Sequence, residues 1–482
     1  MAKLLFIQPE FFIAFGQMYI SSLLKLNNHK TEIIIESLED NITKKINKSK
    51  PDLIGIYTPT IFVNWALNTA KKIKENFDIP IILGGPHPTI FPYIVKEKCI
   101  DMICRGEGEY AMLELMDKIE RGEETNRIKN LWIKKDGKIF SNKLRPLISN
   151  LDEIPFPDRE LYYKKFKFLK KSTIQRFLTG RGCPFSCSYC FNHQFKKLYR
   201  NKGKYVRRRS VENVLEEIKI VKEKYRPKIV SFDDDTFILD FKWFNHFVRE
   251  YKREIDIPYV CNVRPDLINE KIVKLLKSSG CLGVRFGIET ADEKLRYVLK
   301  RYITNSQILS AVRLFKKYNL KFMSFNMIAL PNESLEDAFK TLEFNARLKP
   351  AVASPSATLV FPGTELMKYC IRQNIIPKNN IEEAKNSVVS LIKFHPNFNE
   401  LLNLICFYNL GVKLPFITPF LKKLVFLPTN TFFFQFGSLF FNFLSAKYYN
   451  MSIKECIRFL KNIITKEKKL SHPSARFYID KI

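Results

Sequence analysis

The chain has 482 residues and carries 80 Lys and Arg against 49 Asp and Glu, a net charge of +31. That length accommodates about two to four domains, and 46% hydrophobic with 27% charged residues excludes a disordered chain. The positive excess favours an anionic partner, nucleic acid or the negatively charged face of a membrane, or else is lysine spread over solvated surface.

Gln8, Pro9 and Glu10 interrupt the first residues before a signal-peptide apolar stretch can form, so a buried first strand and a cytoplasmic protein are expected. Apolar runs at 4–7, 32–36, 52–57 and 79–83, with a helical pattern over 64–76, read as strand and helix in alternation. Such alternation implies an α/β, doubly wound, Rossmann-like parallel sheet, here assigned to residues 1–145. Ligands of these sheets sit beyond the carboxyl ends of the strands, which places Thr58, Thr60, Gly84, Gly85 and His87 at the binding edge. Two adjacent glycines let a flat ligand or its phosphate tail approach the backbone, although Gly-Gly after a strand is also an ordinary turn and His87 also reads as an ordinary loop residue. Residues 146–172 form a linker whose Leu151-Asp-Glu-Ile-Pro-Phe-Pro-Asp158 stretch is held extended by proline.

Cys183, Cys187 and Cys190 follow in Gly180-Arg-Gly-Cys-Pro-Phe-Ser-Cys-Ser-Tyr-Cys-Phe-Asn192. A four-iron cluster normally takes four cysteine ligands, so three thiolates on one tight loop leave the fourth iron open to something that reacts. A structural zinc site would recruit His193 as a fourth ligand, but Cys-x3-Cys-x2-Cys-x2-His is not a usual finger spacing. Disulfides are disfavoured by the odd number of clustered thiols and the lack of a secretory signal. Cys99, Cys104, Cys261, Cys281, Cys370, Cys406 and Cys456 are scattered and read as packing residues.

Beyond residue 172 each apolar run ends in polar residues. Residues 229–232 lead into Asp233-Asp-Asp-Thr-Phe237, 283–287 into Ile288-Glu-Thr290, and 323–330 into Pro331-Asn-Glu-Ser334. The repetition suits a partial (β/α)6 TIM-type barrel over 173–375, with one site at its carboxyl-terminal strand ends. By themselves the three aspartates also read as a solvated loop or a magnesium site, and Glu289 as a partner of Arg285.

The cysteine spacing, with the aromatic Tyr189 before the last cysteine, resembles the radical S-adenosylmethionine (radical SAM) superfamily. Gly84-Gly-Pro-His-Pro-Thr89 with Ile103-Cys-Arg-Gly-Glu-Gly-Glu-Tyr110 resembles the cobalamin-binding domain that precedes the radical SAM core in one large subgroup. The resemblance covers about residues 1 to 370 and implies a 4Fe-4S cluster on Cys183, Cys187 and Cys190, S-adenosyl-L-methionine and cobalamin. It implies that Tyr189, Asp234 and Asp235 lie near SAM, the aspartates by its amino group, and that Glu289 approaches its ribose. Asp-x-His-x-x-Gly is absent, and His29 is followed by Lys30 and Thr31, so a base-off corrinoid without a histidine below the metal is expected. Ala329-Leu-Pro-Asn-Glu333 replaces the usual Gly-Leu-Pro-Gly-Glu, which makes that backbone less free. Phe361-Pro-Gly-Thr-Glu365 fits the family's closing turn.

Residues 376–482 are expected to form a helical, apolar region. Residues 424–446 contain no charge, and Lys422, Lys423 and Lys447 flank them. Three readings stand: an interfacial or substrate-facing surface, a buried helical pair, or a transmembrane helix, the last opposed by Pro428, Asn430, Gln435 and Asn442.

The family resemblance implies reductive cleavage of SAM to a 5′-deoxyadenosyl radical and modification of an unactivated carbon, above all C-methylation. A lipid or isoprenoid, a peptide or a small metabolite is the substrate, and ferredoxin or flavodoxin is the electron donor. Ring closure, carbon–carbon coupling or hydroxylation with the same cofactors remains the alternative, and a non-catalytic corrinoid or redox sensor is the reading from another class. Nucleic acid is disfavoured, because the first domain lacks the extra cluster cysteines of RNA-methylthiolating enzymes.

Overall fold

A computed structural model describes residues 1–170 and 172–451; Cys456 and the rest of the expected apolar region past 451 lie outside the described residues. Two compact units emerge, one of residues 1–172 with 194–207, the other of 173–193 with 208 onward.

In the first unit, strands β1 (Lys3–Gln8), β2 (Lys30–Ile35), β3 (Leu53–Tyr57), β4 (Ile81–Gly84) and β5 (Met102–Cys104) form parallel pairs in the order 2-1-3-4-5. Their runs are apolar without alternation because both faces are covered: Leu5, Ile7, Ile54, Ile56, Ile81 and Leu83 are all buried. Helices α1 (Phe15–Leu26), α2 (Ile42–Ser49), α3 (Val63–Lys74), α4 (Pro86–Ile90) and α5 (Glu109–Arg121) supply the connections and flanks. The expected strands and the helix at 64–76 are therefore present within a few residues of their expected bounds. The parallel sheet is extended by an antiparallel pair, β6 (Leu131–Lys135) and β7 (Lys138–Ser141). Asp136 and Gly137 join them with φ of 49° and 72°, the left-handed pair that a two-residue hairpin requires.

The second unit holds six parallel strands in strictly sequential order: Ile174–Phe177, Ile229–Phe232, Tyr259–Asn262, Cys281–Glu289, Lys321–Ile328 and Val352–Ala357. Helices follow them and pack on an aromatic core in which Phe232, Phe237, Phe244, Phe247, Tyr251 and Tyr259 are buried together. Five of these helices start where a side chain takes over an orphan backbone N–H, at Ser210, Asp240, Asn269, Thr304 and Ser334.

An open six-stranded sheet leaves the outer edge of its last strand without a neighbouring strand, and the carboxyl-terminal helices cover it. Asn409, on the helix Phe398–Lys413, accepts the backbone N–H of Ala353 at 3.0 Å, and Lys413 donates to the Pro350 carbonyl at 2.7 Å. The helix Thr431–Tyr448 crosses closely at Gly437, where a Cβ would stand 2.6 Å from the Cys406 carbonyl oxygen, and ends with Tyr448 against Gly283. The uncharged stretch 424–446 is thus divided: Phe433, Phe434 and Phe436 pack inward, whereas Phe426 and Phe432 are 62% and 70% exposed. Among the described residues no helix is long and apolar enough to cross a membrane.

Candidate functional site

In the first unit the carboxyl ends of β3 and β4 form a cradle. Thr58 accepts the His87 N–H at 3.1 Å and donates its own N–H to the Gly84 carbonyl at 2.7 Å, so the two turns are tied through backbone. Gly85 sits at φ 108°, and a Cβ there would come within 2.8 Å of the Tyr57 ring; no atom stands within 4 Å of a Cβ placed on Gly84. The buried Thr60 Oγ1 and His87 Nδ1 have no hydrogen-bond partner. Burial lowers the His87 imidazole to about 4, so the ring is neutral at physiological pH. Unpaired buried polar atoms beside bare backbone fit a large polar cofactor tail, which would satisfy them. His29 lies elsewhere, at the amino-terminal end of β2, with Nε2 2.9 Å from Asp117.

The cysteine loop of the second unit follows a short strand at Gly180–Arg181. Ser188 anchors it: its N–H donates to the Leu299 carbonyl and its carbonyl accepts the Leu366 N–H, both at 2.9 Å, while Oγ donates to the Val298 carbonyl at 3.0 Å. The Arg264 guanidinium lies 3.5 Å above the Phe185 ring, between Cys183 and Cys187 in sequence. Burial raises the Cys183 thiol to about 11, with nearby Asp235, Cys190 and Cys187 adding to the shift, and raises Cys190 as well. These are metal-ready donors only after proton loss, as ligation requires. Among the described residues no three His, Cys, Asp or Glu side chains converge as they would on a single ion. A four-iron cube is larger than one ion and takes ligands set further apart; three thiols on one loop fit it.

The three aspartates divide their work. Asp233 pairs with Arg176 and, at 3.2 Å, with Arg285, whose guanidinium also donates to the Phe232 carbonyl at 2.8 Å. The expected alternative of an Arg285–Glu289 pair is therefore corrected: Arg285 is held by Asp233, two strands away. Asp234 is buried against Thr179, accepting its N–H at 3.1 Å and its hydroxyl at 2.7 Å, with Arg208 at 3.9 Å. Burial raises its carboxyl, which Arg208 and Thr179 oppose. Asp235 turns to the cysteine loop, where Asn192 donates to it at 3.2 Å and to the Cys190 sulfur at 3.5 Å.

Glu289 stands at φ 66°, just past a register break in its strand. Tyr189 donates its hydroxyl to Glu289 Oε1 at 3.0 Å, and Arg301 lies 3.5 Å from the same oxygen while donating to the Gly287 carbonyl at 2.8 Å. A Cβ on Gly287 would overlap the Glu289 carboxylate, so a side chain there would displace it. Burial lifts the Tyr189 hydroxyl well above its ordinary value and the carboxylate adds to it, so the phenol remains a donor. Sequence reasoning named Tyr189 and Glu289 but missed Arg301, Asn192 and Thr179, because no local spacing links them to the motifs.

Ala329 and Asn332 both adopt φ 62°, so the two positions where relatives carry glycine are left-handed here despite their side chains. The turn places both side-chain-bearing residues in the left-handed region. It delivers Glu333 into the interior, where Oε2 accepts the Leu330 N–H at 3.0 Å and Oε1 has no partner. Burial pushes this carboxyl up to about 8. His395 accepts the Asn397 N–H at Nδ1, so Nε2 carries the proton it donates to the Glu333 carbonyl at 2.7 Å.

The radical SAM superfamily profile matches residues 177–344 and that of the B12 binding domain residues 11–116. An uncharacterized methyltransferase of Pyrococcus horikoshii is 35% identical over 371 residues, spanning 75% of this chain and 79% of its own. The anaerobic magnesium-protoporphyrin IX monomethyl ester cyclase of Rubrivivax gelatinosus is 27% identical over 73% of this chain and 65% of its own. The hopanoid C-3 methylase of Methylococcus capsulatus is 24% identical over 72% and 69%. Among solved structures, the radical S-adenosylmethionine methyltransferase TsrM of Kitasatospora setae, with cobalamin and a [4Fe-4S] cluster bound, shares the fold at a TM-score of 0.64 and 17% identity, covering 78% of this chain and 76% of that one.

Proposed function

Since the chain belongs to the radical SAM superfamily and carries its B12-binding domain at the amino-terminal side of the core, we propose that it is a C-methyltransferase acting on an unactivated carbon of a lipid or isoprenoid. When bound, the cluster with SAM supplies a 5′-deoxyadenosyl radical and the corrinoid supplies a methyl group. The observation that carries the reading is the loop itself, three anchored thiols with no fourth cysteine on it.

In this proposal Cys183, Cys187 and Cys190 hold three irons. Asp235, oriented by Asn192, accepts the SAM ammonium, and Asp234 positions it by fixing Thr179 and Arg208. Glu289 takes the ribose hydroxyls, its carboxylate held by Tyr189 and Arg301. Thr58, Thr60, Gly84, Gly85 and His87 receive the corrinoid tail, and the distant position of His29 supports base-off binding. A lipid substrate is supported by the concentration of apolar exposure. Eight of the eighteen exposed large apolar side chains among the described residues fall between 414 and 443, with Phe416 at 79%. Exposed Lys423 beside them suits an anionic membrane face, where the protein would sit peripherally.

The test is anaerobic incubation of the reconstituted protein with methyl-labelled SAM, reductant and a membrane lipid extract. Label in the lipid fraction is expected; deoxyadenosine accumulating while no product carbon is labelled counts against methylation. The cyclase relative favours a second reading, ring closure with the same cofactors, which a product lighter by two hydrogens would reveal. Phe416→Ser with Phe420→Ser should weaken co-sedimentation with anionic vesicles; equal pelleting removes the membrane contact.

A further inference from the structure

Between Glu160 and Glu212 the chain has fifteen Lys and Arg and no Asp or Glu, and the cysteine loop lies within this stretch. Several of these cations are spent on the fold. Arg207 forks onto Glu107 at 2.9 and 3.0 Å, Arg209 pairs with Glu217, and Lys165 with Glu39. Lys197, Arg200, Lys202 and Lys204 differ: none pairs with a carboxylate among the described residues, and all but the half-buried Lys202 are exposed.

The backbone that presents them is built. Tyr199 is 4% exposed, its hydroxyl accepts the Glu107 N–H at 3.2 Å, and it covers Gly106 so closely that a Cβ there would overlap it. Leu147 donates its N–H to the Lys202 carbonyl at 2.8 Å, and Phe195, Leu198 and Tyr205 pack with Leu144 and Leu147. The aromatic and aliphatic side chains of the segment therefore face the protein, and the cations face out.

We infer that Lys197, Arg200, Lys202 and Lys204 form the docking surface for an acidic one-electron carrier protein that reduces the cluster; this rests on the radical SAM reading above. Three observations select that partner. RNA binding of a single strand needs exposed aromatic faces for stacking, and those of this segment are packed away. Insertion into a membrane needs exposed apolar groups, which the segment lacks. Electron-transfer encounters are small, transient and steered by charge, which is what four cations close in sequence and without carboxylate partners among the described residues provide. Position agrees: Lys197 follows Cys190 by seven positions in the chain, so even a fully extended backbone keeps their Cα atoms within about 25 Å. In the encounter the carrier is oxidised by one electron and the cluster reduced by one; no covalent bond forms or breaks.

The test compares two donors on the anaerobically reconstituted, full-length protein, following cluster bleaching in a stopped-flow spectrometer. The variant is Lys197→Glu/Arg200→Glu/Lys204→Glu, with the corresponding triple Gln variant as a milder second case. With reduced flavodoxin as the probe, the Glu variant should bleach at least about tenfold more slowly at low salt, the gap closing near 0.5 M salt as about 4 Å screening takes hold. With photoreduced deazaflavin, a small donor that needs no docking surface, the rate and the iron content should match wild type. An unchanged flavodoxin rate overturns the inference, and so does equal slowing by both donors, which would mark a structural role. Failure of wild type to cleave SAM while its cluster bleaches normally would instead overturn the enzymatic reading and leave the docking result intact.

Discussion

At the carboxyl ends of β3 and β4 the first unit offers bare backbone, two threonines and a histidine that burial keeps neutral. The matching edge of the six-stranded sheet offers three thiols, two aspartates and a buried Glu289–Arg301 pair. Both are strand-end sites of parallel sheets, where loops converge and the strands hold them rigid. The difference lies in what is left unsatisfied. The first site keeps polar atoms unpaired and space open over Gly84, as a large, mostly uncharged ligand would need. The second holds Asp234 beside Arg208, Glu289 beside Arg301 and Asp235 by the Asn192 amide, so that a small zwitterion would meet oriented groups that need little rearrangement on binding.

Replacing Cys183, Cys187 and Cys190 together by Ala separates the two sites most sharply. Bound iron and sulfide should vanish and SAM cleavage with them, while cobalamin retention, read from the visible spectrum, stays at the wild-type level. Joint loss of both cofactors would show that the sites are not independent.

Arg301→Leu strands the Glu289 carboxylate in the interior, and breaking a buried pair from one side costs about 3–5 kcal/mol. Urea denaturation followed by the far-ultraviolet signal measures it; a loss below about 1 kcal/mol would mean that Glu289 is solvated and not held by Arg301.

Glu333 gives the second unit a pH dependence. Its folded carboxyl is raised to about 8 from an ordinary value of 4.5, so the folded state binds the extra proton between those values. Its stabilising contribution is complete below the unfolded value and is lost as pH rises toward 8. Relative to Glu333→Gln, wild type should lose stability over that window by up to about 1.4 kcal/mol per pH unit. Parallel stability curves for the two proteins from pH 5 to 8 would refute a buried, protonated Glu333.

The smallest effect has the opposite sign. Thr60→Val removes a buried hydroxyl with no partner and should stabilise the cobalamin-free protein by about 1 kcal/mol, yet weaken corrinoid retention. Destabilisation in the absence of cobalamin would show that the hydroxyl is satisfied within the protein.

Much of the fold and of the donor set is legible in the order of the residues. The strands of both sheets announce themselves as short apolar runs ending in polar or glycine-rich turns, and the hairpin of β6 and β7 carries its own signal in Asp136-Gly137, which the strand pattern alone does not bring forward. Glu289 and Tyr189 are singled out through the family resemblance of the stretches that hold them. Arg301, Asn192 and the pairing of Asp233 with Arg285 are not, because each depends on which strand end faces which loop. The segment 194–207 likewise reads as a continuation of the cysteine loop, yet Tyr199 and Arg207 bind it to Gly106 and Glu107 in the first unit.

The amino-acid sequence by itself determined the donor set and the strand periods, because three thiols within eight residues and apolar runs of four to eight are local properties of the chain. Only the tertiary structure decided which cation neutralises Glu289, that Ala329 and Asn332 take the left-handed turn without glycine, and that the uncharged stretch after residue 424 is half packed and half exposed. Those outcomes follow from strand order, the register break beside Glu289 and the crossing of two helices at Gly437. Each joins residues distant in sequence, whose free energy exists only once the sheet has closed around them.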